Sequence, residues 1–254
     1  MTDSRVPLSV IVITLNEEKN ISDCLGSVAW ADELVVVDAR SSDRTRELAR
    51  NYAQKVFETD WKGYSAAKEF ALGKVSHEWV LWLDADERVS PSLAAEIREV
   101  LKQNPPEHAA YEIPRRAFYL GKWIRHCGWY PGYVTRLFRK QSVRLSPSLV
   151  HEHLEVEGTV GRMVSHIDHF TDDTLYHYFK KFNSYTSLAA SDLRRRNKKF
   201  RLADLIVRPP FLFFKMYVLK RGFLDGWHGL VLSMVSSAYV FVKYAKHWEL
   251  DCTK

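Results

Sequence analysis

Residues 78–93 read EWVLWLDADERVSPSL: the apolar run from Trp79 to Leu83 stops at Asp84, Asp86 and Glu87, and a Ser-Pro pair opens a new apolar pattern. An unbroken apolar run of this length is how a parallel strand covered on both faces reads. Pro91 suits the first turn of a helix, where its missing N–H is not needed. The stretch therefore predicts strand, acidic loop and helix.

The same unit occurs twice upstream. PLSVIVITL (7–15) leads into Asn16, Glu17 and Glu18 and then the spaced apolar residues Ile21, Leu25 and Val28; ELVVVDA (33–39) ends in Asp38 and leads into SSDRTRELARNYA (41–53). Asn16 and Ser42 are the expected helix caps. A short strand around Val56 and a helix over GYSAAKEFALGKV (63–75) complete the series. Strands alternating with helices imply an α/β fold, Rossmann-like, with a mostly parallel central sheet and helices on both faces. In such sheets ligands bind beyond the carboxyl ends of the strands, where Asn16, Asp38 and Asp84 to Glu87 all fall.

With 254 residues the chain has room for one large domain, or for a smaller one with an appendage. The texture changes along it: residues 109–165 are short alternating segments with turn signals at Gly121, Gly132 and Gly158, and helices dominate from Thr174. The expected division is a nucleotide and acceptor domain over 1–170 and a basic, amphipathic helical region over 171–254. The formal charge of +6 is uneven, because residues 176–254 hold 15 Lys and Arg against 5 Asp and Glu. That asymmetry suggests an anionic partner, a membrane surface or nucleic acid. The longest uncharged C-terminal stretch, 226–242, is short for a bilayer span, so helices lying in the interface are expected. MTDSRVPLSVIVIT carries no secretory pattern, and Cys24, Cys127 and Cys252 suggest neither a disulfide framework nor a zinc knuckle.

In an extended segment residues i and i+2 face one side, so Asp84 and Asp86 are expected to present carboxylates together. Two adjacent anions favour a cation between them. A hard divalent ion, Mg²⁺ or Mn²⁺, that also holds a diphosphate meets that need; an acidic turn capping the next helix is the alternative. No glycine-rich phosphate loop follows the first strand, so phosphates would be held by metal, as in nucleotide-sugar chemistry.

Taken together, SVIVITLNEEKNISDCLGSV, ELVVVDARSSDRT, GYSAAKEFAL and WVLWLDADE resemble the family 2 glycosyltransferases, which have the GT-A fold. The resemblance implies that Thr14, Leu15, Asn16, Glu17 and Asp38 hold the base and ribose of a nucleotide. It puts Lys68 near that nucleotide and makes Asp84 and Asp86 the metal and diphosphate motif. GYVTRLFRK, LVHEHLEVEG, KFNSYTSLAA and RPPFLFFKMYVLKRGFLDGWHG further resemble the lipopolysaccharide inner-core glucosyltransferases of the WaaE, KdtX and LgtF type. This implies a UDP-glucose donor, a lipopolysaccharide core heptose as acceptor, and a peripheral location on the inner, cytoplasmic face of the cytoplasmic membrane.

Many family 2 enzymes carry an acidic pair in the acceptor loop as the base, and residues 109–165 contain none. The inverting reaction needs one base, and Glu152, between His151 and His153, is the nearest candidate. Arg136 and Arg139 are assigned to phosphate oxygens of donor or acceptor, against the alternative of surface strand residues. His151, His153, His166 and His169 have spacings open to zinc, which the resemblance does not require. LRRRNKKFRL (193–202) is read as lying on anionic lipid or acceptor phosphates; the apolar helices after it would enter the interface or form a homo-oligomer contact. A polyprenyl phosphate or other glycolipid acceptor is the rival reading within enzymes, and a basic nucleic-acid-binding protein the rival outside them. An acidic crevice repels nucleic acid and no such binding module is recognisable, so no nucleic acid partner is expected.

Overall fold

Leu8–Thr14 (β1) is buried at every position, and its side chains divide between two cores. Val10 and Val12 pack with Ile21, Leu25, Leu93 and Ile97, whereas Ile11 and Ile13 pack with Val35, Val37, Ala67 and Ala71. A strand reads as continuously apolar when both of its faces meet helices, because successive side chains point to opposite sides. Each such fully buried aliphatic side chain stabilises the fold by about 1.5–3 kcal/mol.

The computed structural model describes residues 5–60, 64–103, 105–145 and 154–252, which fall into two units. The first comprises the described residues of 1–115, 133–148 and 152–169. In it β1 pairs in parallel with Glu33–Asp38 (β2) and with Trp79–Asp84 (β4), and β2 pairs in parallel with Lys55–Glu58 (β3). Four helices accompany these strands: Ile21–Ser27 (α1), Thr45–Ala49 (α2), Tyr64–Leu72 (α3) and Pro91–Lys102 (α4). Ser90 caps α4 through its hydroxyl, which accepts the Leu93 N–H at 3.3 Å, with Pro91 following as expected. Beyond β4 the sheet turns mixed. Its order continues through Gly132–Arg139 (β8), Ala110–Tyr119 (β6) and Ile167–Asp172 (β12) to Glu87–Val89 (β5). Strand β8 runs antiparallel to β4, and β12 antiparallel to β5. Val160–Arg162 (β11) adds in parallel to β6, and Val143–Leu145 (β9) pairs with Leu154–Val156 (β10) as a separate ribbon.

Two expected caps are corrected. Asn16 lies in a left-handed conformation (φ 55°), and the position before α1 is Asn20, after a turn in which the Asn20 and Ile21 N–H groups both donate to the Glu17 carbonyl at 2.9 Å. Before α2 the position is Arg44, with no side-chain cap; the Ser42 N–H is instead taken by Asn16 Oδ1 at 2.8 Å. Both side chains are used between loops, which a cap assigned within one loop misses.

The second unit comprises the described residues of 116–132 and 170–252; the boundaries fall inside β6 after Arg115 and inside β12 after His169. It therefore takes in an internal segment that a single cut in the sequence cannot express. Here Lys122–Trp123 (β7) folds back on the end of β6. Five helical stretches follow: Leu175–Arg195 (α5), Leu202–Ile206 (α6), Arg208–Phe214 (α7) with a wider turn over Lys215–Leu219, a 3-10 turn over Gly222–Asp225, and Trp227–Cys252 (α8). Tyr119, Ile124, Cys127, Met216 and Leu232 form its core. A Cβ on Gly229 would stand 1.9 Å from the Gly222 carbonyl oxygen, so the approach of α8 to the preceding turn requires glycine. Among the described residues no helix is long and apolar enough to cross a membrane.

Candidate functional site

The carboxyl ends of three neighbouring strands meet in register in the first unit. Thr14 on β1 lies opposite Asp38 on β2, and Ile13 lies opposite Asp84 on β4. The loop after β1 and the loop after β2 are laced together. Asn16 N–H donates to Ser41 Oγ at 2.8 Å, Glu17 N–H to Thr45 Oγ1 at 2.8 Å, and the Ser42 N–H and hydroxyl both donate to Asn16 Oδ1. Asp38 is fully buried; its Oδ1 accepts the Ser41 N–H at 2.7 Å, the Ser41 hydroxyl bonds its other oxygen, and Arg46 Nε stands 3.7 Å away. Asp38 thus shapes this double loop from beneath. Leu15 is exposed at its top, and the buried Thr14 Oγ1 has no hydrogen-bond partner among the described residues.

The acidic stretch after β4 is more elaborate than an extended chain. The strand ends at Asp84, Ala85 and Asp86 form a turn, and β5 begins at Glu87. Asp84 and Asp86 therefore do not share one pleat face as expected, because the turn sends them to different partners. Asp84 is bonded by Arg136, and Asp86 Oδ2 lies 3.4 Å from His169 Nε2. Glu87 is fully buried, accepting the Asp84 N–H at 3.0 Å and Arg136 Nη2 at 2.8 Å, with Arg115 Nη1 at 3.8 Å. Lys68 on α3 stands over the Trp82 ring at 4.4 Å and adds its charge to the field at Asp84.

Burial would raise the Asp84 pKa, but the Arg136, Lys68 and His169 charges outweigh it and hold the carboxyl below its usual value. For His169, burial works against the cation, while the bond to Asp86 and the charges of Asp86 and Glu87 prevail and raise its pKa. Cys24, beneath the turn with its thiol 3.6 Å from the Asp84 carbonyl oxygen, is pushed well up by burial and by the three acids.

Two arginine assignments change. Arg136 is a buried bridge between Asp84 and Glu87 rather than an available phosphate ligand. Arg139 pairs opposite Trp79, at the start of β4, because β8 runs antiparallel; it lies 3.7 Å from Glu78, at the far end of the strand from the carboxylates. Glu152, His151 and His153 lie outside the described residues. Glu87, His169, Arg115, Ser41 and Thr45 join the site, and sequence reasoning gave none of them this role. Two of the five carry a signal in the sequence: Glu87 stands among the acids that end the apolar run, and His169 has a spacing open to zinc.

Among the described residues no three His, Cys, Asp or Glu side chains gather as a ligand cluster. What the site offers is a hard carboxylate on a turn, Asp86, with an imidazole beside it and Asp84 nearby. That donor set fits Mg²⁺ or Mn²⁺ of the kind bound through one or two carboxylates, with substrate phosphates and water completing the shell.

The family model for glycosyl transferase family 2 matches residues 9–223. The chain belongs to that family. The transferase is 30% identical to the lipopolysaccharide core biosynthesis glycosyltransferase LpsC of Rhizobium meliloti (strain 1021), over 98% of this chain and 95% of the relative. It is 28% identical to an uncharacterised glycosyltransferase of Rickettsia typhi, over 96% of this chain and 87% of that one. Among solved structures, a mannosyltransferase from Pyrobaculum calidifontis in complex with GDP-mannose and Mn²⁺ superposes with a TM-score of 0.57 at 14% identity, covering 97% of the transferase and 88% of that chain. The fold is GT-A, and the transferase resembles enzymes of the lipopolysaccharide core.

Proposed function

We propose that the transferase is an inverting hexosyltransferase that moves glucose from UDP-glucose onto an inner-core heptose of lipopolysaccharide, working peripherally at the inner face of the cytoplasmic membrane. The observation that carries the donor half is the shared edge of Thr14, Asp38 and Asp84, with Asp86 on the turn beyond it. The acceptor half follows the lipopolysaccharide core relative, which matches nearly end to end.

In this reading the laced loops at Thr14, Leu15, Asn16 and Glu17, braced by Asp38 through Ser41, receive the base and ribose. Asp86 is the principal metal ligand, with His169 and Asp84 beside it. A divalent ion held there would offset the charge that develops on the departing diphosphate. Lys68, in the same field, adds a positive charge on the donor side. Arg136 and Glu87 fix the orientation of Asp84 before the donor arrives, so no reorganisation is needed at the moment of reaction. The base that takes the acceptor hydroxyl's proton is assigned to Glu152.

Membrane attachment is assigned to the second unit. Leu202, Ile206, Val207, Phe211, Leu219 and Trp227 are exposed, Trp227 at 79%, within a stretch that also carries Arg194–Arg196, Lys198, Lys199 and Arg201. Exposed apolar side chains beside clustered cations suit an anionic lipid surface.

The deciding experiment is a screen of UDP- and GDP-sugars for Mn²⁺-stimulated hydrolysis, followed by transfer from the preferred donor to heptose-terminated and heptose-lacking core oligosaccharides. UDP-glucose turnover and a product made only on the heptose-terminated acceptor are expected. Preference for another donor would change the sugar. A product made only on a polyprenyl phosphate would replace the acceptor.

A further inference from the structure

The second unit contains a cleft of about 390 Å³ lined by Lys122, Trp123, Arg125, His126, Leu224 and Asp225. Its one acid is already committed. Asp225 is buried, and its carboxylate accepts the Arg125 N–H at 3.3 Å, the His126 N–H at 2.8 Å and His126 Nδ1 at 3.1 Å. Lys122 Nζ donates to the Asp225 carbonyl oxygen at 2.8 Å, which occupies one of its three N–H bonds. The Arg125 guanidinium stacks over Trp123 at 4.3 Å, and Trp123 is set edge-on to Tyr130 at 5.4 Å. Among the described residues neither Lys122 nor Arg125 forms an ion pair with a carboxylate, although both side chains are exposed at the rim. With Nδ1 directed to Asp225, His126 keeps Nε2 as its other hydrogen-bonding atom.

Two cations, one positioned by the Asp225 carbonyl oxygen and the other by an aromatic ring, with nothing of opposite charge on their side chains, form a receptor for an oxyanion. Leu224 adds an exposed apolar wall, which suits an anion carried on a larger organic group. We propose that this cleft is a subsite for a phosphate monoester borne by the saccharide acceptor, with Lys122 and Arg125 as its anion ligands. The inference rests on the saccharide-acceptor reading above and extends it to the chemistry of the acceptor.

The test titrates the full-length transferase with glucose 6-phosphate, glucose and inorganic phosphate, following tryptophan fluorescence. A Lys122→Gln/Arg125→Gln variant and vesicles containing phosphatidate run in parallel. Both substitutions are exposed, and UDP binding, which uses the first unit, serves as the folding control. The expected result is saturable binding of glucose 6-phosphate, at least tenfold tighter than glucose, that weakens at least tenfold in the double variant while UDP affinity is unchanged. Equal affinity of the two proteins for glucose 6-phosphate would overturn the proposal. So would binding of inorganic phosphate as tight as that of the sugar phosphate, or preference for the vesicles. Sugar-phosphate binding without any UDP binding would leave the subsite standing and sink the donor reading; UDP binding without sugar-phosphate binding would sink the subsite alone.

Discussion

Glu87 and Arg136 form a buried ion pair, Oε1 to Nη2 at 2.8 Å, directly behind the Asp84 backbone, whose N–H the same carboxylate accepts. Removing one partner of such a pair strands a charge away from water. Arg136→Met should therefore cost about 3–5 kcal/mol in urea unfolding. The double variant Arg136→Met/Glu87→Met should recover part of that loss. Equal stability of wild type and the single variant would show that the pair is not buried in solution.

Asp86 is the side chain on which divalent-metal binding should depend. Asp86→Ala should abolish the Mn²⁺-dependent part of UDP binding in calorimetry, and EDTA should do the same to the wild type. His169→Ala should weaken it about 10–100-fold, as loss of a group beside a ligand commonly does. Full Mn²⁺-dependent UDP binding by Asp86→Ala would remove this residue from the metal site.

Glu33 predicts an acid limb of stability. Burial would raise its pKa, but Lys55, the Ser9 and Ser76 hydroxyls and the Ser76 N–H together lower it from 4.5 to about 2. A carboxyl depressed on folding contributes stability that is complete above the unfolded value and lost as pH falls through the folded one. Unfolding measured from pH 6 to pH 2 should therefore show a loss between about 4.5 and 2 that Glu33→Gln flattens. Identical slopes in both proteins would contradict the assignment.

Gly229 offers a probe of the second unit alone. Its missing Cβ leaves room for the Gly222 carbonyl oxygen, which would otherwise stand at 1.9 Å. Gly229→Ala should force the backbone apart and destabilise by about 1–3 kcal/mol in thermal unfolding. UDP affinity, which the proposed donor site assigns to the first unit, should stay within twofold.

For the membrane reading, Leu202, Ile206, Phe211 and Trp227 replaced together by Ser should lower flotation with anionic liposomes several-fold without altering UDP affinity. Deleting residues 194–254 is a poorer test, because it would also take Asp225 away from the loop at 122–126. Unchanged flotation of the fourfold variant would favour another use of the exposed surface, such as a homo-oligomer contact.

The sheet edge was legible because the apolar runs stop close to where the strands stop: Asp38 and Asp84 end β2 and β4 as the sequence suggests, and β1 ends at Thr14, two residues before the expected Asn16. What connects these ends was not legible. Asn16 and Ser42 are 26 residues apart, and each alone looks like a helix cap; only together are they a brace between loops. Glu87 meets His169 through antiparallel pairing of β5 with β12, a register that no local spacing announces. The same kind of register separates Arg136 from Arg139: three residues apart on β8, one bonds Asp84 at the end of β4 and the other lies opposite Trp79 at its start. Period and composition report how a strand is covered, whereas the contacts of a site depend on which distant strand lies beside it.

The Asp225 anchor carries a consequence for biosynthesis. Its partners at Lys122, Arg125 and His126 precede it by 99 to 103 residues. At the usual pace of translation, about 5–20 residues per second, the loop is made roughly 5–20 s before the acid that fastens it. Strands β1 to β4 and their helices leave the ribosome within that chain's first half and need nothing from residue 225. The first unit ends at residue 169, so a nascent transferase has all of it before Asp225 is made, and a chain that stops short of Asp225 lacks the acid that fastens the loop at 122–126.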